Sequence, residues 1–180
     1  MGSLIIVFLS GAVLGTALDR LHFLGGVLDY PDTTLQGQAW FVPPLMGAAA
    51  LGLVSGHRLL VRMRGGVIAR GSFGAVLTYV LLFAAAYGAT VWFQDQPKWL
   101  AIGLVVAFVP VIGSHPYNGF GLHCLLAAAV GTAVEAYLVQ RGEFRYLAPD
   151  WLGVPMWLPA LYLWAAAATA EMDRFLREKP

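Results

Sequence analysis

Charge is what this 180-residue chain has least of. Asp, Glu, Lys and Arg make up 12% of it, about half the share found in soluble domains. By contrast 59% of its residues are hydrophobic, and its mean hydropathy is +0.70. Most of the chain therefore belongs in lipid. It holds a single cysteine, Cys124, which excludes an internal disulfide framework and any multi-cysteine zinc site. The net charge of +1 comes without the basic stripe a nucleic-acid binder presents. Catalytic motifs are missing as well: there is no GxSxG, P-loop, GxGxxG or HExxH, and Gly119-Phe-Gly121 is too short to cradle a phosphate. His22, His57, His115 and His123 are expected on both sides of the membrane, without metal-ligand spacing. No chain of buried acids marks an ion path. An intramembrane enzyme needs at least a nucleophile–base pair or a metal set, so a non-enzymatic binder without a cofactor is the expectation.

What the chain does have is apolar length. A helix needs about 20 mostly apolar residues to cross the hydrocarbon, and six stretches qualify: about Leu4–Leu24, Ala39–Gly56, Phe73–Phe93, Lys98–Gly113, Gly119–Val139 and Pro155–Met172. No Lys or Arg precedes the first, and no small-residue cleavage site follows it, so it reads as an uncleaved membrane helix. The expected fold is all-α, a compact polytopic bundle of six transmembrane helices, with residues 1–180 forming one domain. Placing both termini in the cytoplasm puts Arg58, Arg62, Arg64, Arg70, Arg174, Arg177 and Lys179 inside, against Arg20, Lys98, Arg141 and Arg145 outside, and this excess sets the orientation. Trp40, Trp92, Trp99, Trp151 and Trp157 then fall at the outer boundary, with Trp164 deep. The pairs Gly11/Gly15, Gly52/Gly56, Ala84/Gly88 and Ala127/Gly131 have the spacing that lets helix backbones approach. They also leave room for a homo-oligomer.

The second, fourth and sixth helices each open on a Trp near a Pro, which suggests a repeated two-helix unit, although aromatic belts alone would produce the same pattern. Pro43 and Pro44, Pro110, and Pro159 are expected to bend these three helices and open gaps between them. A gap near Pro43 and Pro44, among helices two to five, would be walled by Phe41, Met46, Tyr79, Phe83, Tyr87, Phe108 and Phe120. Gln38, Ser55, Thr78 or Thr90 would hold one polar head. That pattern suits an elongated lipid with a hydroxyl or ester at one end. Asp19, Arg20 and Glu135 read as structural groups near the outer interface, and His123 as a helix histidine bonded to a carbonyl. Two other classes stay open: an interaction scaffold built on the small-residue faces, and a transporter or enzyme using His123 or Glu135.

Three motifs carry a resemblance. Ala39-Trp-Phe-Val-Pro-Pro44, Gly119-Phe-Gly-Leu122, and Tyr146-Leu-Ala-Pro-Asp-Trp151 followed by Trp157-Leu-Pro159 resemble, in order and spacing, motifs of the Insig (insulin-induced gene) proteins. The likeness runs over about residues 4–175. It implies six transmembrane helices with cytosolic termini, binding of oxysterols, retention of an escort protein in the endoplasmic reticulum, and no catalysis. The family's sterol-contacting positions fall on Val80 (with Phe83 one turn away), on Pro97 beside Gln96, and on Pro110; its escort-holding aspartate falls on Ser114. The resulting candidates for lipid binding are Gln38, Trp40, Pro43, Pro44, Met46, Tyr79, Val80, Phe83, Phe108 and Pro110. Those for a membrane-protein partner are Ser114, Gly119, Phe120 and Gly121. The Ala/Gly/Val/Arg-rich composition and short loops point to a prokaryotic cell membrane, the endoplasmic reticulum being the eukaryotic equivalent. A diacylglycerol-like or sterol-like membrane lipid is the expected ligand.

Overall fold

The computed structural model describes residues 2–65, 69–117 and 119–177. Lys179, counted in the inner charge, and Asn118, at the end of the turn after the fourth helix, lie outside them. The described chain forms helices α1 (Gly2–Leu24), α2 (Val42–Met63), α3 (Phe73–Trp92), α4 (Pro97–Ser114), α5 (Phe120–Gln140) and α6 (Leu158–Leu176). A two-residue ladder joins β1 (Leu28–Asp29) antiparallel to β2 (Arg145–Tyr146). The first five helices are long and apolar enough to cross a membrane. The sixth carries Glu171, Asp173 and Arg174 in its last turns, and it can do so because the other five helices surround it. Expected as one span among six, α6 is the central one.

The expected proline bends are corrected. α2 begins at Val42 and α6 at Leu158, so Pro43, Pro44 and Pro159 all stand in first turns. There the N–H groups lack helical partners in any case, and proline costs nothing. Of the four, only Pro110 lies inside a helix, in α4, and it is exposed. Pro43→Ala and Pro44→Ala are each expected to change stability by less than about 1 kcal/mol, through lost rigidity of the unfolded chain, which thermal melts in detergent would show.

Glycines set the closest helix pair. A Cβ on Gly15 would come within 2.7 Å of the Met46 Cβ, and one on Gly47 within 2.6 Å of the Phe8 ring. α1 and α2 can therefore approach only because these positions are bare. Gly131 faces the Tyr162 ring, whereas Gly52 and Gly56 meet nothing within 4 Å and Gly88 meets only Trp92 of its own helix. Trp40, Trp92, Trp99 and Trp151 are exposed in the manner of an interfacial belt. Trp157 is not: it is buried, edge-on to His22 and Tyr146.

The repeat expected of helices two, four and six exists in a different form. The connections into α2 and α6 are built alike, and that into α4 is not. Leu35 bridges Gln38 and Trp151 bridges Val154. Between them Gln36 and Gly37 have φ of 51° and 98°, Leu152 and Gly153 of 51° and 82°. Both turns thus need the left-handed region that glycine adopts freely. The caps Phe41 (φ −79°, ψ −10°) and Trp157 (φ −79°, ψ −12°) match as well. These hairpins, α1–β1–α2 and α5–β2–α6, run at an offset of 116 residues, the separation of Asp29 from its ladder partner Arg145. A residue pairing antiparallel with its own counterpart marks a local two-fold axis. His57 and Asp173, also 116 apart, meet at the other end of the bundle.

Candidate functional site

An apolar cavity of about 310 Å³ runs through the bundle between α1, α2, α3 and α6, with one residue of α5. Its wall includes Leu14, Met46, Leu53, Val80, Phe83 and Leu161, and it reaches from Leu158 at one end of α6 to Met172 near the other. That length suits a long apolar molecule, and the volume lies at the low end for small-molecule sites. The α5 residue is Glu135, whose carboxylate faces the cavity beside Tyr87 and Tyr162. It accepts hydrogen bonds from the hydroxyls of Tyr162, at 2.7 Å, and Tyr146. Two donors leave lone pairs for a third.

The repeat explains how this carboxylate came to face the cavity. Its counterpart at the 116-residue offset is Asp19, and each acid takes a hydrogen bond from a tyrosine eleven residues on, Tyr30 for Asp19 and Tyr146 for Glu135. Burial, and then the neighbouring carboxylate, push both phenols well above their usual range, so both stay donors. The halves differ in the third group. Gln38 donates to Asp19 at 2.6 Å and to the Thr16 carbonyl at 3.0 Å, which closes Asp19 off. Val154 stands at the matching place and can donate nothing to Glu135 from its side chain. Tyr162, at the place matching Met46, donates instead and lines the cavity itself.

Of the residues expected at the lipid site, the structure brings Met46, Val80 and Phe83 to the cavity wall, with Tyr87 among the aromatic candidates. The others stand elsewhere. Gln38 is spent on Asp19; Trp40 and Pro44 are exposed; Pro43 is in the first turn of α2. Tyr79 packs against the core, and Pro110 faces outward. Phe108 is buried between Phe120 and the edge of Trp164, so α4 supplies packing and not cavity wall. Among the polar-head candidates, Ser55 and Thr78 are exposed. Thr90 donates to the Tyr87 carbonyl at 2.6 Å and accepts from His22 Nε2 at 2.6 Å. The cavity thus borders α1 and α6, beyond the expected helices two to five, and Glu135, expected as a structural group, lines its polar end. The two acid–tyrosine pairs of equal spacing were the signal that could have found it.

At the other end of the bundle sits a second polar cluster. Asp173, fully buried, accepts from Arg58 Nε at 2.6 Å, Arg177 Nη2 at 2.8 Å and His57 Nδ1 at 3.1 Å. Glu171 pairs with Arg174, while His115 Nε2 lies 3.3 Å from its Oε1 but out of line for a hydrogen bond. The His57 and His123 rings are 5.3 Å apart. Among the described residues no three His, Cys, Asp or Glu side chains are set to hold a metal ion. Of the partner candidates, Ser114 is exposed, Gly119 is the buried cap of α5, and Gly121 is half-buried. Phe120 is buried, stacked on His115 at 3.8 Å.

Comparison with known proteins agrees with this architecture. No family model matches the chain. It is 32% identical to the Insig protein homolog of Mycolicibacterium vanbaalenii over 88% of this chain and 78% of that one. It is 24% identical to insulin-induced gene 1 protein of Gallus gallus over 98% of this chain and 74% of that one. The crystal structure of the mycobacterial Insig homolog MvINS from Mycobacterium vanbaalenii superimposes with a TM-score of 0.79 at 22% identity, covering 100% of this chain and 98% of that one. A cross-linked trimer form of MvINS gives 0.84 at 21%, with the same coverage. With its six helices and the identity to the mycobacterial homolog, the chain is an integral multi-pass membrane protein that belongs to the Insig family.

Proposed function

We propose that this protein is a non-enzymatic membrane lipid-binding protein, in which one elongated neutral lipid lies in the cavity with its polar head at Glu135. The carrying observation is a carboxylate at one end of a largely apolar cavity, held by two tyrosines with acceptor capacity to spare. A head bearing an O–H donates to that carboxylate, whereas an anionic head would be repelled. A sterol or a diacylglycerol meets the requirement, and the kinship with insulin-induced gene proteins supports a sterol-sensing type of role. The chain acts as one six-helix unit, with both termini on the cytoplasmic side by its charge excess.

Self-association is the second part of the reading. It is supported by the trimer of the structural neighbour and by the bare Gly52–Gly56 face of α2. A membrane-protein partner would meet Ser114 and Gly121, because Phe120 is buried.

Native mass spectrometry in mild detergent tests the lipid reading, with cholesterol and 1,2-dioleoylglycerol as added probes. Glu135→Gln keeps a carbonyl oxygen for one tyrosine hydroxyl and turns its NH2 to the other, whose oxygen can accept from it, but exchanges a charged hydrogen bond to the ligand for a neutral one. We expect about tenfold weaker retention with a melting temperature close to that of the parent. Absence of lipid in the protein as isolated, with no stabilisation by either probe, would sink the proposal.

A further inference from the structure

We propose a second, separate ligand site that takes the phosphate-bearing headgroup of an anionic membrane lipid. It lies where the start of α1 meets the ends of α2 and α6, at the opposite end of the bundle from Glu135. A depression of about 540 Å³ is lined there by Ser3, Ile6, Arg58, Arg62, Leu176 and Arg177. Arg58 and Arg62 are four residues apart on α2, hence on one face of it.

The site is pre-organised by a residue that does not line it. Asp173 is completely buried behind the arginines and holds two of them, Arg58 through Nε alone and Arg177 through Nε and Nη2. A guanidinium carries five N–H donors, so both groups keep donors that Asp173 does not use. Arg62 is exposed and takes no part in the Asp173 set. Three guanidinium charges against one carboxylate leave a local excess of two positive charges. Planar forks of this kind suit the oxygens of a phosphate. The first-turn N–H groups of α1, which have no helical partners, begin beside them.

Lipid is favoured over a soluble anion by the rest of the wall and by its depth. Ile6 and Leu176 give the depression apolar sides, which a free phosphate has no use for and the glycerol and first methylenes of a lipid do. The site also stands where α1 begins and α2 and α6 end, and the ends of membrane-length helices are where headgroups lie.

The experiment titrates the full chain in mild detergent with phosphatidylglycerol, with phosphatidylcholine of the same acyl chains, and with inorganic phosphate, read by native mass spectrometry and by melting temperature. The expected result is preferential retention of phosphatidylglycerol, weakened about fivefold by Arg62→Ala. Arg64→Ala, outside the depression, serves as control and leaves retention unchanged. Equal retention of the two lipids, or equal effects of the two substitutions, would overturn the site. Stabilisation by inorganic phosphate as strong as by phosphatidylglycerol would overturn the lipid as its occupant.

Discussion

Replacing Asp173 with alanine is expected to destabilise the protein by about 3–5 kcal/mol, the cost of breaking a buried charge pair from one side. The carboxylate is fully buried and serves His57, Arg58 and Arg177 together. Its removal leaves a histidine donor and two guanidinium groups facing one another without an anion, at the contact between α2 and α6. For a chain of this length the loss corresponds to a fall in melting temperature of about 10 °C or more. Thermal melts in detergent check it directly. Arg58→Gln, which leaves Asp173 with two of its donors, is expected to cost much less. If the two variants melt alike, Asp173 is not the centre of the cluster.

Asp19→Ala is the second large effect, at about 3 kcal/mol, because the Tyr30 hydroxyl and the Gln38 amide lose their shared acceptor inside the protein. Removing the stranded donors as well, in the triple variant Asp19→Leu, Tyr30→Phe, Gln38→Leu, is expected to restore part of the loss, since groups of similar shape without polar atoms leave nothing unsatisfied. The two acids occupy matching places in the repeat, yet Asp19 is closed off by Gln38 and Glu135 faces the cavity. Substitution at Asp19 should therefore move stability and leave lipid retention nearly unchanged, with the reverse at Glu135.

Much of the fold is legible in the sequence, because length and apolarity alone decide whether a segment spans a membrane. Five of the six helices stand within a few residues of their expected places, while α2 runs on to Met63, well past the expected Gly56; the family likeness rests on motifs that prove to be the turns before α2 and α6 and the start of α5. The expected proline bends are absent for a physical reason. Whether a proline bends a helix depends on which turn it occupies, and the start of α2 is set by the left-handed pair Gln36–Gly37, a backbone property that the apolar run does not reveal. The cavity was half legible. Met46, Val80, Phe83 and Tyr87 share helix faces that periodicity can find. That α6 is the central helix depends on which neighbours pack where, and an alanine-rich stretch does not announce it. Glu135 was visible as an acid in an apolar segment, but its role follows from an asymmetry between two halves that becomes apparent only once the halves are superimposed.

The two-fold axis has one more implication. In a pair of identical chains, a position on such an axis meets itself, and a charged residue there faces its own charge. Here the two axis positions hold Asp29 against Arg145, at 2.8 Å, and His57 against Asp173, at 3.1 Å. Both are complementary pairs that no symmetric dimer of one hairpin could offer. Covalent union of the halves lets each position carry two different residues, so the seam between them is held by attraction at both ends of the bundle. The same freedom lets one half keep its acid sealed while the other presents its acid to a ligand.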